Sequence, residues 1–494
     1  MSRSVRRESA EVVIAGGGPV GMLIAAELAA LGVRAVVVEA ATETQVQPKA
    51  TTVHARAVQA LVRRGYLPGV HTPGAVSESE AFHFAGLPVV SISVPKGEPR
   101  PILKRAQADL EREFESRAIE RGALVLRGHR ITTVRQTASG VEVEAEGPTG
   151  TLVCSGGYLV GADGSRSVVR EQLGFTADTS PATVSAMMGL VRFPDPEAVP
   201  PGWQRTPRGW TVARVGADGM GLIRTMDCTR THPNRAVAPT VAELSSEASR
   251  IAGHDVPMTD PVHVTRFSDY TRLVRDYRAG RAFLAGDAAH VHLPIGGQGL
   301  STGLVDGLNL AWKLAHVVRG TAGEGLLDTY DAERRPVAQR VIDGTRAQLA
   351  LMRSGLELDL LREVFVGLLA LEQPNQQISE MISGQDTVYP ARSAPGSDWE
   401  GVFLPNLSLS VGTEETDVVT LLQDGRPLLL VHESAGAYLA ESLPWQSVLC
   451  TVTVHNTLPC AALLVRPDGH VAWASDGGPL TEALRSWFVE RPQR

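Results

Sequence analysis

The stretch from Val12 to Glu39 limits the possible folds more than any other part of the chain. Val12-Val13-Ile14-Ala15 is a short β-prone run that stops at Gly16-Gly17-Gly18-Pro19-Val20-Gly21. Beyond it Leu23, Ile24, Leu28 and Leu31 recur at helical spacing, Gly32 closes the helix, and Ala35-Val36-Val37-Val38 opens a second strand. Each glycine of this Gly-x-Gly-x-x-Gly turn has a physical purpose. Gly16 permits the tight turn, Gly18 lets a pyrophosphate approach the backbone, and Gly21 lets helix and sheet pack closely. The helix start then offers unpaired N–H groups and a positive partial charge to phosphate. Glu39 ends the second strand 23 residues after Gly16, near the ~20 expected of an acid that holds a ribose. The unit predicts dinucleotide binding at the head of a parallel sheet.

Two later motifs end in the same way, at a turn after a buried strand. In Tyr158-Leu159-Val160-Gly161-Ala162-Asp163-Gly164-Ser165-Arg166-Ser167 a hydrophobic strand runs into Asp-Gly and a helix start. Alone, this reads more readily as a surface β-turn with Ser165 as the N-cap. In Phe283-Leu284-Ala285-Gly286-Asp287-Ala288-Ala289-His290, continuing through Pro294-Ile295-Gly296-Gly297-Gln298-Gly299, the aspartate suits a polyol hydroxyl. The glycines there let the backbone touch a flat ring, and the helix that follows aims its positive end at a ring that acquires negative charge. His290 and His292, at a strand-to-loop junction, are expected to be packed or capping residues, and no general base can be assigned.

Composition bounds the rest. A chain of 494 residues exceeds the ~250–300 at which one core stops growing, so two or three domains are expected. With 43% apolar and 20% charged residues it is neither disordered, collagen-like nor a multi-span membrane chain. Only four of its 47 basic residues are lysines (Lys49, Lys96, Lys104, Lys313), and no block of like charge forms, so the arginines are not a nucleic-acid footprint. Glu27 and several glycines interrupt the apolar run after Arg6-Arg7, which argues against a signal peptide or membrane anchor. Cys154, Cys228, Cys450 and Cys460 form no CxxC or Cys/His set, so a cytoplasmic, reduced, metal-free protein is expected.

Along the chain, residues 106–121 predict an amphipathic helix with Leu110, Phe114 and Ile119 inward, and alternating β segments follow at 131–134 and 141–145. Between 182 and 268 strand-like runs alternate with Pro- and Gly-rich turns, which reads as an inserted sheet. A long helix is expected over 304–318, helical sequence to about 383, a linker over 384–397, and a separate α/β module after it.

The three motifs in this order resemble those of the single-component flavin-dependent aromatic hydroxylases of the para-hydroxybenzoate hydroxylase type. His290-Val291-His292-Leu293-Pro294 through Asn309-Leu310-Ala311-Trp312-Lys313-Leu314, Leu326-Leu327-Asp328-Thr329-Tyr330 and Glu333-Arg334-Arg335-Pro336 match that family almost continuously. Leu464-Val465-Arg466-Pro467-Asp468-Gly469-His470-Val471-Ala472-Trp473 resembles the thioredoxin-like tail of the members that act on aromatic polyketides.

The resemblance implies an α/β chain: a Rossmann-like FAD-binding domain (1–175 and 276–345), an inserted β-sheet-rich substrate domain (176–275), a helical connection (346–390) and a C-terminal thioredoxin-like domain (391–494), with 73–100 contributing to the substrate sheet. FAD would be held by Gly16, Gly18 and Gly21 at the pyrophosphate and by Glu39 at the adenosine ribose. Arg56, Gln107 and Asp163 match cofactor-contact positions, Asp287 the ribityl contact, and Pro294, Gly297, Gly299 and Leu300 lie beside the isoalloxazine. Leu300-Ser301 replaces the Met-Asn common there, with a shorter side chain and no amide; Lys49 stands where relatives often carry Arg.

The implied activity is NADPH-dependent hydroxylation of a polycyclic, polyketide-type phenol through a C4a-hydroperoxyflavin, with no metal, nucleic-acid or membrane partner and a homodimer admissible. Baeyer–Villiger insertion into a polyketide ketone is the alternative on the same fold. A non-oxygenase FAD protein, such as a prenyl-lipid reductase or an escort protein, is a second. Met187, Met188, Trp210 and Met226 are candidates to line the substrate pocket, and the distant pair Cys450 and Cys460 carries no redox role.

Overall fold

Six strands drawn from distant parts of the chain make the central sheet, in the order Arg278–Ala279, Ala282–Leu284, Tyr158–Gly161, Val12–Ala15, Ala35–Val38, Leu124–Leu126. All neighbours are parallel except the first pair. The computed structural model describes residues 4–47, 49–70, 79–229, 231, 237–392 and 395–490. Four of the six strands are buried along their whole length, as a parallel sheet covered on both faces requires. Helix Pro19–Ala30 packs between helices Gln107–Glu120 and Gly299–Val318 and is buried almost all round. That is why its sequence shows no polar face. Within Gln107–Glu120 the expected inward position shifts by one: Ile119 is 53% exposed, and Ala118 is buried in its place.

Ser4–Ser9, Gly150–Gly156, Val141–Gly147 and Arg130–Gln136 form a second sheet beside the first. A third, antiparallel sheet has the order Gly202–Thr206, Gly209–Val215, Met220–Asp227, Ser185–Arg192, Thr259–Ser268. One of its faces buries Met187, Val191 and Ile223 against Leu244 and Ala248 of helix Val241–Ala252. Met187, expected to line the pocket, therefore belongs to that core, because alternate residues of a strand point to opposite faces. The other face carries Ala186, Trp210 and Met226, which share an apolar cluster with Phe84, Leu293 and Ile295.

The segment expected to extend this sheet does not do so. Residues 73–78 lie outside the described residues, and Ser79–Phe84 and Leu87–Ser93 form a two-stranded sheet of their own. Asn375 occupies an edge of that hairpin: its amide donates to Val89 O at 2.7 Å and accepts from Ser91 N at 3.0 Å. The hairpin packs onto the large sheet through Phe84, Val90 and Ile92.

Helix Asp328–Met352 runs unbroken across the boundary expected at 345 and is followed by Leu356–Leu369 and Glu372–Ser383. Residues 384–392 are irregular yet pinned, since Tyr389 is buried and its N–H donates to Gly401 O at 3.0 Å. The last sheet has the order Cys450–Val454, Leu428–His432, Ala462–Val465, Val471–Ala474, with one parallel and two antiparallel pairs.

Buried charge fixes this C-terminal module to the rest. Arg466 bonds both carboxylate oxygens of Glu333 at 2.8 Å and also pairs with Asp468, while Lys313 reaches Glu333 at 2.8 Å. Arg63 pairs with Glu98 and donates to Leu404 O; Arg64 pairs with Glu27 and donates to Leu422 O.

Candidate cofactor and substrate site

The three motifs converge. A Cβ on Gly16, whose φ is +99°, would sit 2.4 Å from Ala162 O, so the first and second turns touch. A Cβ on Gly303 would meet Val20 at 2.9 Å and Gly286 Cα at 3.2 Å, so the third turn and the helix after it close on the start of the first helix. Gly21 is required by the fold, because a Cβ there would lie 2.0 Å from Gly16 O. Gly18 faces open space, with nothing within 4 Å of a Cβ position. It is the one glycine of the three whose Cβ position meets no neighbour, so its backbone is open to a ligand.

Glu39 is pinned at the end of its strand: Gly17 N donates to Oε2 and Ala41 N to Oε1, each at 2.6 Å. Each carboxylate oxygen keeps a lone pair for ribose hydroxyls. Asp163 accepts from Val168 N at 2.7 Å and Val169 N at 3.2 Å, and its Oδ1 is buried without a partner. Burial raises its carboxyl above the usual range against those hydrogen bonds. The N-cap of helix Val168–Gln172 is Ser167, which accepts from Arg170 N at 2.9 Å, and not Ser165. Asp287 keeps solvent contact on a one-turn helix, Gly286–Ala288; surrounding protein raises its carboxyl, opposed by the charges of His290 and Lys49. Gln107 opens its helix half-buried, with its N–H on Ala50 O at 3.0 Å.

The ring loop depends on consecutive left-handed glycines, Gly296 at φ +75° and Gly297 at φ +65°, which side-chain-bearing residues rarely adopt. Pro294 is exposed at its start, and helix Gly299–Val318 begins at its end, earlier than the periodicity indicates. His54, a residue the sequence reading did not single out, holds both ends of the loop. Its Nε2–H donates to Gly296 O at 2.7 Å and its backbone N–H to Ser301 Oγ at 3.0 Å. Because a carbonyl only accepts, Nε2 carries the proton and Nδ1 is left buried and unpartnered. Burial drives the imidazole down to about 4, so it is neutral. Leu300 is half-buried against the main core.

Asp306 joins the Gly286–Ala288 turn to helix Gly299–Val318. Its Oδ2 accepts from His290 Nε2 at 2.8 Å and Gly286 N at 3.2 Å, and its Oδ1 from Arg334 Nε at 2.8 Å. Burial opposes its charge, but Arg334 and His290 hold it ionised below the ordinary range. Arg334 also reaches Thr302 O and Tyr389 OH. His290 is thus a packed residue; His292, bonded to Leu293 O at 2.9 Å, is pushed by burial to about 4. An acid inside the apolar run Leu304-Val305-Asp306-Gly307-Leu308 was the signal available for this network. Arg56 is engaged with later parts of the chain: its guanidinium covers Phe403 at 3.9 Å and donates to Gly384 O and Gln385 O.

These residues fit an extended flavin dinucleotide. The open Gly18 backbone, the partnerless Asp163 Oδ1 and the glycine ring loop lie along one connected set of turns. Among the described residues no group of His, Cys, Asp or Glu could hold a metal ion, and no helix is long and apolar enough to cross a membrane.

Residues 9–345 match the family model described as a FAD binding domain, and residues 397–490 match the aromatic-ring hydroxylase C-terminal model. The chain is 34% identical to an anhydrotetracycline monooxygenase of Streptomyces rimosus over 97% of its own length and 98% of the relative's. It is 35% identical, with the same coverage, to a dialkyldecalin synthase of Streptomyces rugosporus. The crystal structure of CabE, an aromatic hydroxylase from angucycline biosynthesis, superposes with a TM-score of 0.88 at 33% identity, covering 97% of this chain and 99% of that one. With the converging glycine turns, these matches place the chain in the FAD-dependent aromatic-ring hydroxylase family, in its polyketide hydroxylase subgroup, as a flavin-dependent monooxygenase.

Proposed function

We propose that this monooxygenase consumes NADPH and hydroxylates a polycyclic, polyketide-type phenol. The observation that carries the reading is the junction of the ring loop with the large sheet: Leu293 and Ile295 share one apolar cluster with Trp210, Met226 and Phe84. A flat aromatic substrate held beside them would lie against the ring loop, with apolar walls that exclude water. When bound, the flavin supplies hydride acceptance from the nicotinamide and activation of dioxygen.

The chain's own residues do the rest. Gly16, Gly18 and the start of helix Pro19–Ala30 bind the pyrophosphate, Glu39 the ribose and Asp287 the ribityl chain. The start of helix Gly299–Val318 stabilises negative charge on the ring. In this reading the C-terminal module is a thioredoxin-like fold with a packing role, since Cys450 and Cys460 are unpaired. The protein works in the cytoplasm, alone or as a homodimer.

A second reading rests on the dialkyldecalin synthase relative, whose name describes no hydroxylation. Purified yellow protein is to be supplied with NADPH, oxygen and a panel of anthraquinone and angucycline phenols. Substrate-stimulated NADPH consumption with a phenolic product heavier by one oxygen atom is expected. An oxygen inserted next to a ketone would mark Baeyer–Villiger chemistry, and a product of unchanged mass the synthase-like reading.

A further inference from the structure

The sheet face turned toward the ring loop carries an arginine with no counter-charge. Arg224 lies in strand Met220–Asp227 opposite Met188 on one side and Val212 on the other, while Trp210 pairs with Met226 two positions along. Register therefore puts Arg224 on the Trp210–Met226 face. It is half-buried, and among the described residues no acceptor or carboxylate pairs with it. Burial lowers its guanidinium from the ordinary arginine value, with no carboxylate acting against that. Other buried arginines here are all paired: Arg63 with Glu98, Arg64 with Glu27, Arg334 with Asp306, Arg466 with Glu333.

Its surroundings connect it to the ring loop. His83 lies near Lys104 and Arg224, whose charges, after burial itself, hold its ring down to about 4. His83 stacks on Phe82 at 4.7 Å and lies 4.8 Å from Trp203. Phe82 meets the His54 ring edge-on at 5.1 Å. Lys104 Nζ donates to Thr52 Oγ1 at 3.2 Å, and a Cβ on Gly297 would lie 3.5 Å from Thr52 Cβ. Aromatic and basic side chains thus predominate between Arg224 and the ring loop. Arg214 adds a further positive charge near Lys104, and Glu80 is the one carboxylate acting there.

We infer that Arg224 is the receptor for an anionic oxygen on the substrate, carried by a polycyclic aromatic acid or by its ionised phenol or enol. This rests on the reading of the chain as a hydroxylase of polycyclic phenols. An unpaired guanidinium held partly out of water is costly, and an arriving anion offsets that cost. Its planar fork matches a carboxylate, or the two oxygens of a hydroxy-ketone, with paired hydrogen bonds. Trp203 and Trp210 then face the ring system.

The test is binding to the FAD-loaded protein without NADPH, followed by tryptophan fluorescence. Probes are anthraquinone-2-carboxylate, its neutral carboxamide, and 2-hydroxyanthraquinone below and above its phenol pKa. The wild type is expected to prefer the carboxylate, or the ionised phenol, by at least about tenfold, as a charge-assisted pair implies. Whichever probe shows the preference names the source of the anion. Arg224→Gln should abolish it while leaving carboxamide affinity and FAD content unchanged, and Arg224→Lys should restore part of it. An equal charge preference in Arg224→Gln, or none in the wild type, overturns the inference alone. No binding by any probe to the wild type overturns it together with the substrate reading.

Discussion

The His54 ring donates from Nε2 to the carbonyl oxygen of Gly296, 2.7 Å away, across 242 residues of sequence. The contact holds a left-handed glycine in the conformation that presents the loop backbone to a ring. His54→Ala should weaken FAD retention about tenfold, the ~1–2 kcal/mol of one buried hydrogen bond whose acceptor is left unpaired. His54→Gln, which keeps an N–H donor, should recover part of it. Recovery of free-flavin fluorescence on dilution reads both. Unaltered retention in the alanine variant would remove His54 from the cofactor's support.

Gly18 and Gly21 separate ligand from fold. A Cβ at Gly21 would sit 2.0 Å from Gly16 O, so Gly21→Ala should lower thermal stability by about 1–3 kcal/mol or more. Gly18 has open space around it and an extended backbone at φ −73°, so Gly18→Val should fold normally and purify colourless. Circular dichroism together with bound-flavin absorbance checks the pair. A yellow Gly18→Val protein would contradict the pyrophosphate assignment.

Acid should unfold the protein earlier than its carboxylates alone would dictate. Burial depresses His54, His292 and His470 from 6.5 to about 4 in the folded chain. Between those values the unfolded chain binds more protons, so stability falls as pH drops from 6.5 toward 4, by up to ~1.4 kcal/mol per pH unit for each such histidine. Melting temperatures across this range should decline steadily. His470→Gln should flatten the slope, and an unchanged slope would show that the ring does not stay neutral.

Among the described residues Arg466 is the one cation bonded to both Glu333 and Asp468, and all three side chains are buried. Arg466→Ala should cost about 3–5 kcal/mol, the penalty for stranding buried charge. The expected signature in denaturant is early release of the C-terminal module before the central sheet melts. A single transition at the wild-type midpoint would show that the cluster does not hold the module.

Much of the fold was legible because local chemistry and tertiary role coincide. A glycine turn between a buried strand and a helix has few other uses, and so Gly16, Asp163 and Asp287 marked three turns that the structure brings together. What stayed hidden depends on partners far away in sequence. Nothing near Arg56 indicates that Phe403 will lie under its guanidinium, and nothing near His54 points to Gly296. The hairpin at 79–93 was misread for a similar reason: its alternation suits any sheet, and the Asn375 side chain decides its edge. Met187 and Met188 are interchangeable in composition, and only strand register assigns them to opposite faces.

The arginines that reach into the C-terminal module have a consequence for engineering. Arg63 and Arg64 spend donors on the main-chain oxygens of Leu404 and Leu422, so this part of the contact is made with backbone geometry rather than with side-chain identity. A graft of this tail from a related enzyme could therefore differ widely in sequence and still seat, provided its loops put two carbonyls in the same places. Chimeras cut within 384–397 should seat only when, besides those loops, the tail keeps the Arg466 and Asp468 that meet Glu333.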